Sequence, residues 1–172
     1  MLIATTNLNR GDEVRLCGID SSSTCTSISL FENGEYKSYK IAEVSKKYYP
    51  TQWDRVDQMI ILICKILDQF QPDIVYQEDS WKGQNIDTLK CLTTIMGAVR
   101  HWALDHGCEY YKILPSSWRG QLGLNEYMKK RPDLKDKTIE FVKERYGINP
   151  ETDDVSDSIC IGLAGLKLIG EK

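Results

Sequence analysis

The sequence predicts an α/β fold in which a mixed five-stranded sheet carries helices on both faces. Two observations lead to this prediction. Three short strand-like segments follow one another early in the chain, and helical and strand-like hydrophobic patterns then alternate. A meander that runs into right-handed β-α-β crossovers gives three antiparallel strands and then two parallel ones. The predicted order is β-β-β-α-β-α-β-α-α, with the first strand in the centre of the sheet beside the fourth.

The first three strands are predicted over Arg15–Asp20, Thr26–Phe31 and Glu35–Lys40. A serine run at 21–23 bounds the first of them. The second and third flank Asn33-Gly34, a pair that tolerates the positive φ angles of a tight hairpin turn. An antiparallel meander follows from this pattern.

Helices and buried strands are predicted to alternate after the meander. Apolar residues recur at helical spacing through 53–70, and Pro50 with Thr51 supplies a helix start. Asp73–Glu78 is a short apolar run that suits a strand buried on both faces. Residues 85–106 return to helical spacing.

The last third of the chain is predicted to hold one more strand and two helices. Glu109–Leu114 has the pattern of a strand and is followed by a proline. Asn125–Leu134 is polar, basic and interrupted by Pro132, so we expect an exposed, mobile loop there. The two closing helices are predicted over Leu134–Tyr146 and Asp154–Ile169.

Length and composition indicate one globular domain. The chain has 172 residues, of which 41% are hydrophobic and 27% charged, and domains usually have about 100–200 residues. We expect residues 1–14 to form a flexible leader and residues 15–172 to form a single domain. The 25 acidic residues outnumber the 22 basic ones, giving a net charge of −3. This excludes binding of nucleic acid by bulk positive charge but not a nucleic-acid enzyme.

Cysteine usage and hydropathy indicate a protein of the cytoplasm. The six cysteines are scattered without a CxxC pair, so zinc is not expected, and we interpret them as small core residues in a reducing compartment. The polar start lacks the apolar stretch of a signal peptide, and no apolar run is long enough to cross a bilayer.

Four acidic residues are placed to meet at one edge of the predicted sheet. Asp20 closes the first strand and Glu78 the fourth, while Asp154 and Asp157 begin the last helix on one helical face. Clustered carboxylates repel one another unless cations neutralise them. Hard divalent ions such as Mg²⁺ suit oxygen ligands, and a pair of them can clamp a phosphodiester.

The same acids also have simpler interpretations. Asp20, before a serine run, fits a turn, and Asp154 and Asp157 fit the positive end of a helix. Glu78 is harder to explain in this way, because a strand buried on both faces rarely ends in two acids without a partner. The spacing alone leaves both interpretations open.

Four segments together resemble the RuvC family of Holliday-junction resolvases, in the same order and at similar spacing. They are GIDSSST at 18–24 with the hairpin after it, YQEDSW at 76–81, LPSSWRG at 114–120 and DDVSDSICIGLA at 153–164. The similarity spans residues 15–169. It implies a ribonuclease H-like fold, and the predicted order of strands is compatible with that fold. The small size of the chain resembles that of phage-encoded members of the family.

The resemblance implies a metal-dependent endonuclease that resolves four-way junctions. Other branched DNA molecules are further candidate substrates. In that family four acids bind two Mg²⁺ or Mn²⁺ ions, and they match Asp20, Glu78, Asp154 and Asp157 residue by residue. The family is homodimeric through the helix that corresponds to residues 85–106. This helix is more apolar than one buried face requires, and a two-fold dimer matches the symmetry of a junction.

Trp81 and Lys82 lie together in a polar loop just after Glu78. An aromatic ring beside a cation is suited to stacking on an unpaired base while the cation holds a phosphate. From the sequence alone, packing of Trp81 on the core is the better interpretation. The resemblance favours stacking near the junction centre.

Arg119 and one of two lysines match DNA-contacting or catalytic positions of the family. Arg119 corresponds to a basic position that contacts DNA, whereas its neighbour Trp118 is interpreted as a core residue. One lysine near the start of the next helix matches a family residue that supports catalysis. Lys135 is the first choice, and Lys137 is too close to be separated from it.

Three rival functions compete with junction resolution. The segment GIDSSSTCTS and its hairpin also resemble the phosphate-gripping loop of actin-like and sugar-kinase ATPases, but those proteins need two such domains. A non-catalytic DNA-binding module of the same fold is expected to have lost one of the four acids, and none is missing. A ribonuclease H-like nuclease with another substrate class stays open.

Overall fold

The computed structural model describes residues 13–80, 85–124 and 131–170, without the side chains of residues 131–135. These residues form five strands and five helices. In chain order they are β1 (Arg15–Ser21), β2 (Cys25–Glu32), β3 (Glu35–Glu43), α1 (Gln52–Phe70), β4 (Ile74–Glu78), α2 (Ile86–Asp105), β5 (Glu109–Ile113), α3 (Pro115–Gln121), α4 (Arg131–Tyr146) and α5 (Asp153–Gly170).

The strands form one mixed sheet in the order β3-β2-β1-β4-β5. β2 pairs antiparallel with β1 and with β3, whereas β4 pairs parallel with β1 and with β5. The predicted fold class is confirmed, including the central position of β1 beside β4. Because Ile19 pairs with Gln77, the next residues along the two strands, Asp20 and Glu78, lie at the same edge of the sheet.

The predicted hairpin turn is present at Asn33-Gly34. Both residues have positive φ angles, 53° and 83°, as tight hairpin turns require. Asn33 also fixes the beginning of β1, because its side-chain oxygen accepts a hydrogen bond from the Val14 amide at 3.0 Å. One residue therefore sets both the turn and the entry of the central strand.

Helices cover both faces of the sheet, each over its own core. α1 and α2 pack on one face, and α3, α4 and α5 contribute to the core on the other. α1 begins as predicted, because the Thr51 hydroxyl accepts a hydrogen bond from the Asp54 amide at 3.1 Å and so caps a free helix N–H group. No helix within the described residues is long and apolar enough to cross a membrane.

α5 packs unusually close to the sheet. A Cβ atom on Gly18 of β1 would lie 2.3 Å from the carbonyl oxygen of Ser158, and one on Gly162 would lie 2.4 Å from the Phe31 ring. Buried hydroxyls join the same surfaces, since the Ser27 and Ser158 hydroxyls are 2.9 Å apart. The first turn of α5 is thereby held over the sheet edge that carries Asp20.

The structure corrects the sequence prediction at two places in the last third of the chain. The seven-residue helix α3 was not predicted, because about two turns starting at Pro115 are too short to show helical periodicity. α4 begins at Arg131 rather than at Leu134, since Pro132 lies in the first turn, where proline is tolerated. Residues 125–130 of the expected mobile loop and residues 1–12 of the expected leader lie outside the described residues.

Candidate active site

Carboxylates from three elements meet at the edge of the sheet. Asp20 comes from β1, Glu78 from β4, and Asp153, Asp154 and Asp157 from the first turns of α5. The pKa of the Asp20 carboxyl is raised well above its usual range, first by burial and then by the negative charges of the other four acids, Glu78 foremost. The structure therefore brings the four sequence-predicted acids together and adds a fifth, Asp153.

Asp157 is largely enclosed, with 13% of its side chain exposed. Burial raises its pKa to about 6, although the Arg119 guanidinium and the Thr138 hydroxyl both favour the charged form. Its Oδ2 atom accepts a hydrogen bond from Arg119 Nη2 at 3.2 Å. Its Oδ1 atom is buried and has no hydrogen-bond partner among the described residues, a costly arrangement for a carboxylate.

α3 supplies adjacent partners for two of these carboxylates. The Trp118 indole Nε1–H donates to Glu78 Oε2 at 2.8 Å, and Arg119 pairs with Asp157 while its guanidinium lies 4.0 Å from the centre of the Trp118 ring. Trp118 is fully buried, as predicted for a core residue. Arg119, predicted to contact DNA, is only 15% exposed and contacts the carboxylate cluster.

α4 approaches the cluster through Thr138. This residue is 1% exposed, and its hydroxyl lies 3.1 Å from that of Ser156 while also hydrogen-bonding to Asp157. The neighbouring Lys137 is half-buried. The side chain of Lys135 lies outside the described residues, and so do the predicted DNA-contacting residues Trp81 and Lys82.

Sequence reasoning missed Cys25, Thr138 and the polar contact of Trp118. The Cys25 thiol, at the start of β2, hydrogen-bonds to Asp154, and burial followed by that contact raises its pKa to about 12. The sequence did contain a signal for the surface of β2 on which α5 packs. β2 carries Ser27 and Ser29 where a buried strand normally has apolar residues. Both serines contact α5 at Ser158 and so mark where that helix docks.

The chemistry of the cluster fits divalent cations that prefer oxygen ligands. It offers several carboxylates and an unpartnered buried oxygen on Asp157, and the pKa of Asp20 is raised by burial and then by the negative charges of the neighbouring acids. Within the described part of the chain, however, no three His, Cys, Asp or Glu side chains are arranged to hold one ion as they stand.

The comparison with solved structures identifies the fold. The chain superimposes on Thermus thermophilus RuvC in complex with a Holliday junction substrate with a TM-score of 0.72, at 16% identity, covering 92% of this chain and 96% of that one. The chain has the fold of the RuvC resolvases. No family model matches the sequence, and no curated protein sequence matches it.

Two further resolvases share the RuvC fold with this chain. A fowlpox virus resolvase, solved with Holliday junction DNA, has a TM-score of 0.63 at 11% identity and covers 91% of this chain and 99% of its own. The yeast mitochondrial Holliday junction resolvase has a TM-score of 0.60 at 16% identity and covers 92% and 80%, respectively. At these identities the likeness concerns the fold, and the argument for function depends on the site.

Proposed function

We propose that this protein is a metal-dependent endonuclease that resolves four-way DNA junctions by hydrolysing phosphodiester bonds. The observation that carries the proposal is the meeting of carboxylates from β1, β4 and α5 at one edge of the sheet. The fold supports it, since the structures of RuvC and of the fowlpox virus resolvase with which it compares contain junction DNA. We place the enzyme in the cytoplasm of a bacterial or phage-infected host cell.

The proposed ligands of two Mg²⁺ or Mn²⁺ ions are Asp20, Glu78, Asp154 and Asp157. The unpartnered Oδ1 atom of Asp157 supports this assignment, because a metal ion would satisfy it. When bound, such ions supply a water of lowered pKa and stabilise negative charge on the leaving 3′ oxygen. The four side chains, Asp20 among them, would hold and orient these ions.

The proposed DNA contacts surround this cluster. Arg119, at the wall of the site, is close enough to the carboxylates to meet a phosphate that enters it. One of Lys135 and Lys137 on α4 supports catalysis, and Thr138 ties that helix to Asp157. Trp81 and Lys82 follow Glu78 by three and four residues, which supports contact with bases and phosphates next to the cut.

We further propose that the enzyme acts as a homodimer through α2. Most of the apolar residues of this helix are buried in the chain's own core, which accounts for much of its apolar character. Its outer surface nevertheless exposes 66% of Ile86 and 71% of Leu104, and a Cβ atom on Gly97 would meet nothing within 4 Å. A second copy seated there would present two sites with two-fold symmetry.

Cleavage of three substrates side by side tests the proposed function. A four-way junction, a flap and an RNA–DNA hybrid of matched sequence are incubated with the full chain and Mg²⁺, with EDTA as the control. We expect paired, symmetric cuts in the junction only when metal is present. Preferential cutting of the hybrid would indicate a ribonuclease H activity, and junction binding without any cutting would indicate a non-catalytic module.

A further inference from the structure

The short helix α3 contacts two of the proposed metal ligands through adjacent residues, and the contact made by Trp118 is the more constrained. Trp118 is fully buried, and the Arg119 guanidinium is stacked on its ring. An indole has a single N–H donor at a fixed position on a rigid ring. Because burial fixes the ring, the position of this donor is fixed as well, and it donates to Glu78 Oε2 at 2.8 Å.

Glu78 needs such a restraint more than the other acids do. It is the last residue of β4, and a glutamate has three side-chain torsions, so its carboxylate can sweep a wide volume unless it is held. Asp20 reaches the site on a side chain with one torsion fewer, and Asp157 is held by Arg119 and Thr138. Groups that hydrogen-bond to metal ligands typically fix their orientation, and their loss typically weakens metal binding by about 10–100-fold.

We propose that Trp118 is a positioning residue whose indole N–H holds the Glu78 carboxylate in the orientation required for divalent-ion binding. This inference rests on the proposed metal site and adds a residue to it. Trp118 touches neither ion nor DNA in this role and acts only through Glu78. Its effect is therefore expected in metal affinity and not only in stability.

The chain contains a matched control for this contact. Trp102 of α2 also donates its indole N–H to a carboxylate, Asp68 Oδ1, at the same 2.8 Å, and it is 7% exposed. Trp102 lies on the opposite face of the sheet, in the core formed with α1, and Asp68 is an exposed residue of α1. Trp118→Phe and Trp102→Phe thus each remove one indole–carboxylate hydrogen bond and a similar side-chain volume. Trp118 lies beside the carboxylate cluster, and Trp102 lies away from it.

The test measures metal binding by the full chain without DNA. Free Mn²⁺ is counted by electron paramagnetic resonance in titrations of the wild type and both variants, and each variant's melting temperature is recorded. We expect Trp118→Phe to weaken Mn²⁺ binding by about tenfold or more and Trp102→Phe to leave it within about twofold. Equal or tighter binding by Trp118→Phe would overturn the inference, as would an equal loss in both variants.

A measurement on the wild type decides the matter if Trp118→Phe does not fold. In a Mg²⁺ titration followed by ¹H–¹⁵N NMR, the assigned indole signal of Trp118 should shift with the binding curve while that of Trp102 stays in place. A Trp118 signal that does not respond at saturating Mg²⁺ would overturn the inference and leave the metal site intact. Absence of any Mn²⁺ or Mg²⁺ binding by the wild type would instead overturn the metal site itself, and the inference with it.

Discussion

The metal-free protein is expected to become more stable when the pH is lowered from 7 to 5, because its carboxylate cluster is then partly protonated. Burial raises the pKa of Asp157 from 3.8 to about 6 despite the opposing charge of Arg119. A carboxyl with a higher pKa in the folded than in the unfolded chain binds more protons when folded. The free energy of unfolding therefore falls as the pH rises between the two values.

The size of this effect follows from the pKa of Asp157. A rise of about 2 in pKa corresponds to about 3 kcal/mol of destabilisation at high pH, at about 1.36 kcal/mol for each pKa unit. Roughly 1 kcal/mol of this is recovered between pH 7 and pH 5, where the unfolded carboxyl is already ionised and the folded one becomes protonated. The raised pKa of Asp20 acts in the same direction.

The assay is urea unfolding at pH 7, 6 and 5 in the presence of EDTA, for the wild type and Asp157→Asn. The asparagine variant lacks the titrating group, so its free energy of unfolding should gain less on acidification than that of the wild type. Saturating Mg²⁺ should reverse the wild-type trend, because ions bind the ionised carboxylates. A wild-type pH dependence no steeper than that of Asp157→Asn would refute the reasoning.

Substitutions at four positions give further tests. Asp20→Asn should abolish junction cleavage while junction binding stays equal or tightens in a gel-shift assay, and its metal-free melting temperature should not fall, because one repelling charge is gone. Gly18→Ala should lower the free energy of unfolding by more than about 1 kcal/mol in urea, since its Cβ would clash with the Ser158 carbonyl. Trp81→Ala should weaken junction binding by about 1–3 kcal/mol without a change in melting temperature, and Trp81→Phe should retain much of it. Leu104→Lys should shift a dimer toward monomer in light scattering, and an unchanged mass would exclude this face of α2 from the interface.

The order of strands and the position of the acids could be predicted because they depend on local patterns. Asn33-Gly34 specifies a turn whatever surrounds it, and the apolar run before Glu78 specifies a buried strand. Once β1 and β4 are parallel neighbours, Asp20 and Glu78 must share an edge. Local chemistry and chain topology were sufficient for this part of the site.

The partners of the acids could not be predicted, because they depend on tertiary contacts of residues with ordinary sequence contexts. Trp118 has the pattern of a core residue and is one, but nothing in LPSSWRG shows that its N–H group points at Glu78. Arg119 resembles a residue that reaches outward to DNA, yet the turn formed by α3 directs it inward to Asp157. Cys25 became part of the site only because the first turn of α5 lies against β2.

The close packing of α5 on β1 explains how the fold keeps like charges together in the absence of metal. Repulsion within the cluster favours moving α5 away from the sheet, since the negative charges of the neighbouring acids add to burial in raising the pKa of Asp20. The helix is retained by contacts that do not involve the acids, since Gly18 and Gly162 allow backbone approach and Ser158 binds two serines of β2. The residues of α5 that pack on the sheet thus directly follow the residues of α5 that belong to the carboxylate cluster. Neutralising the cluster with cations should therefore stabilise the protein without repacking its core, because the elements that carry the acids are already in place.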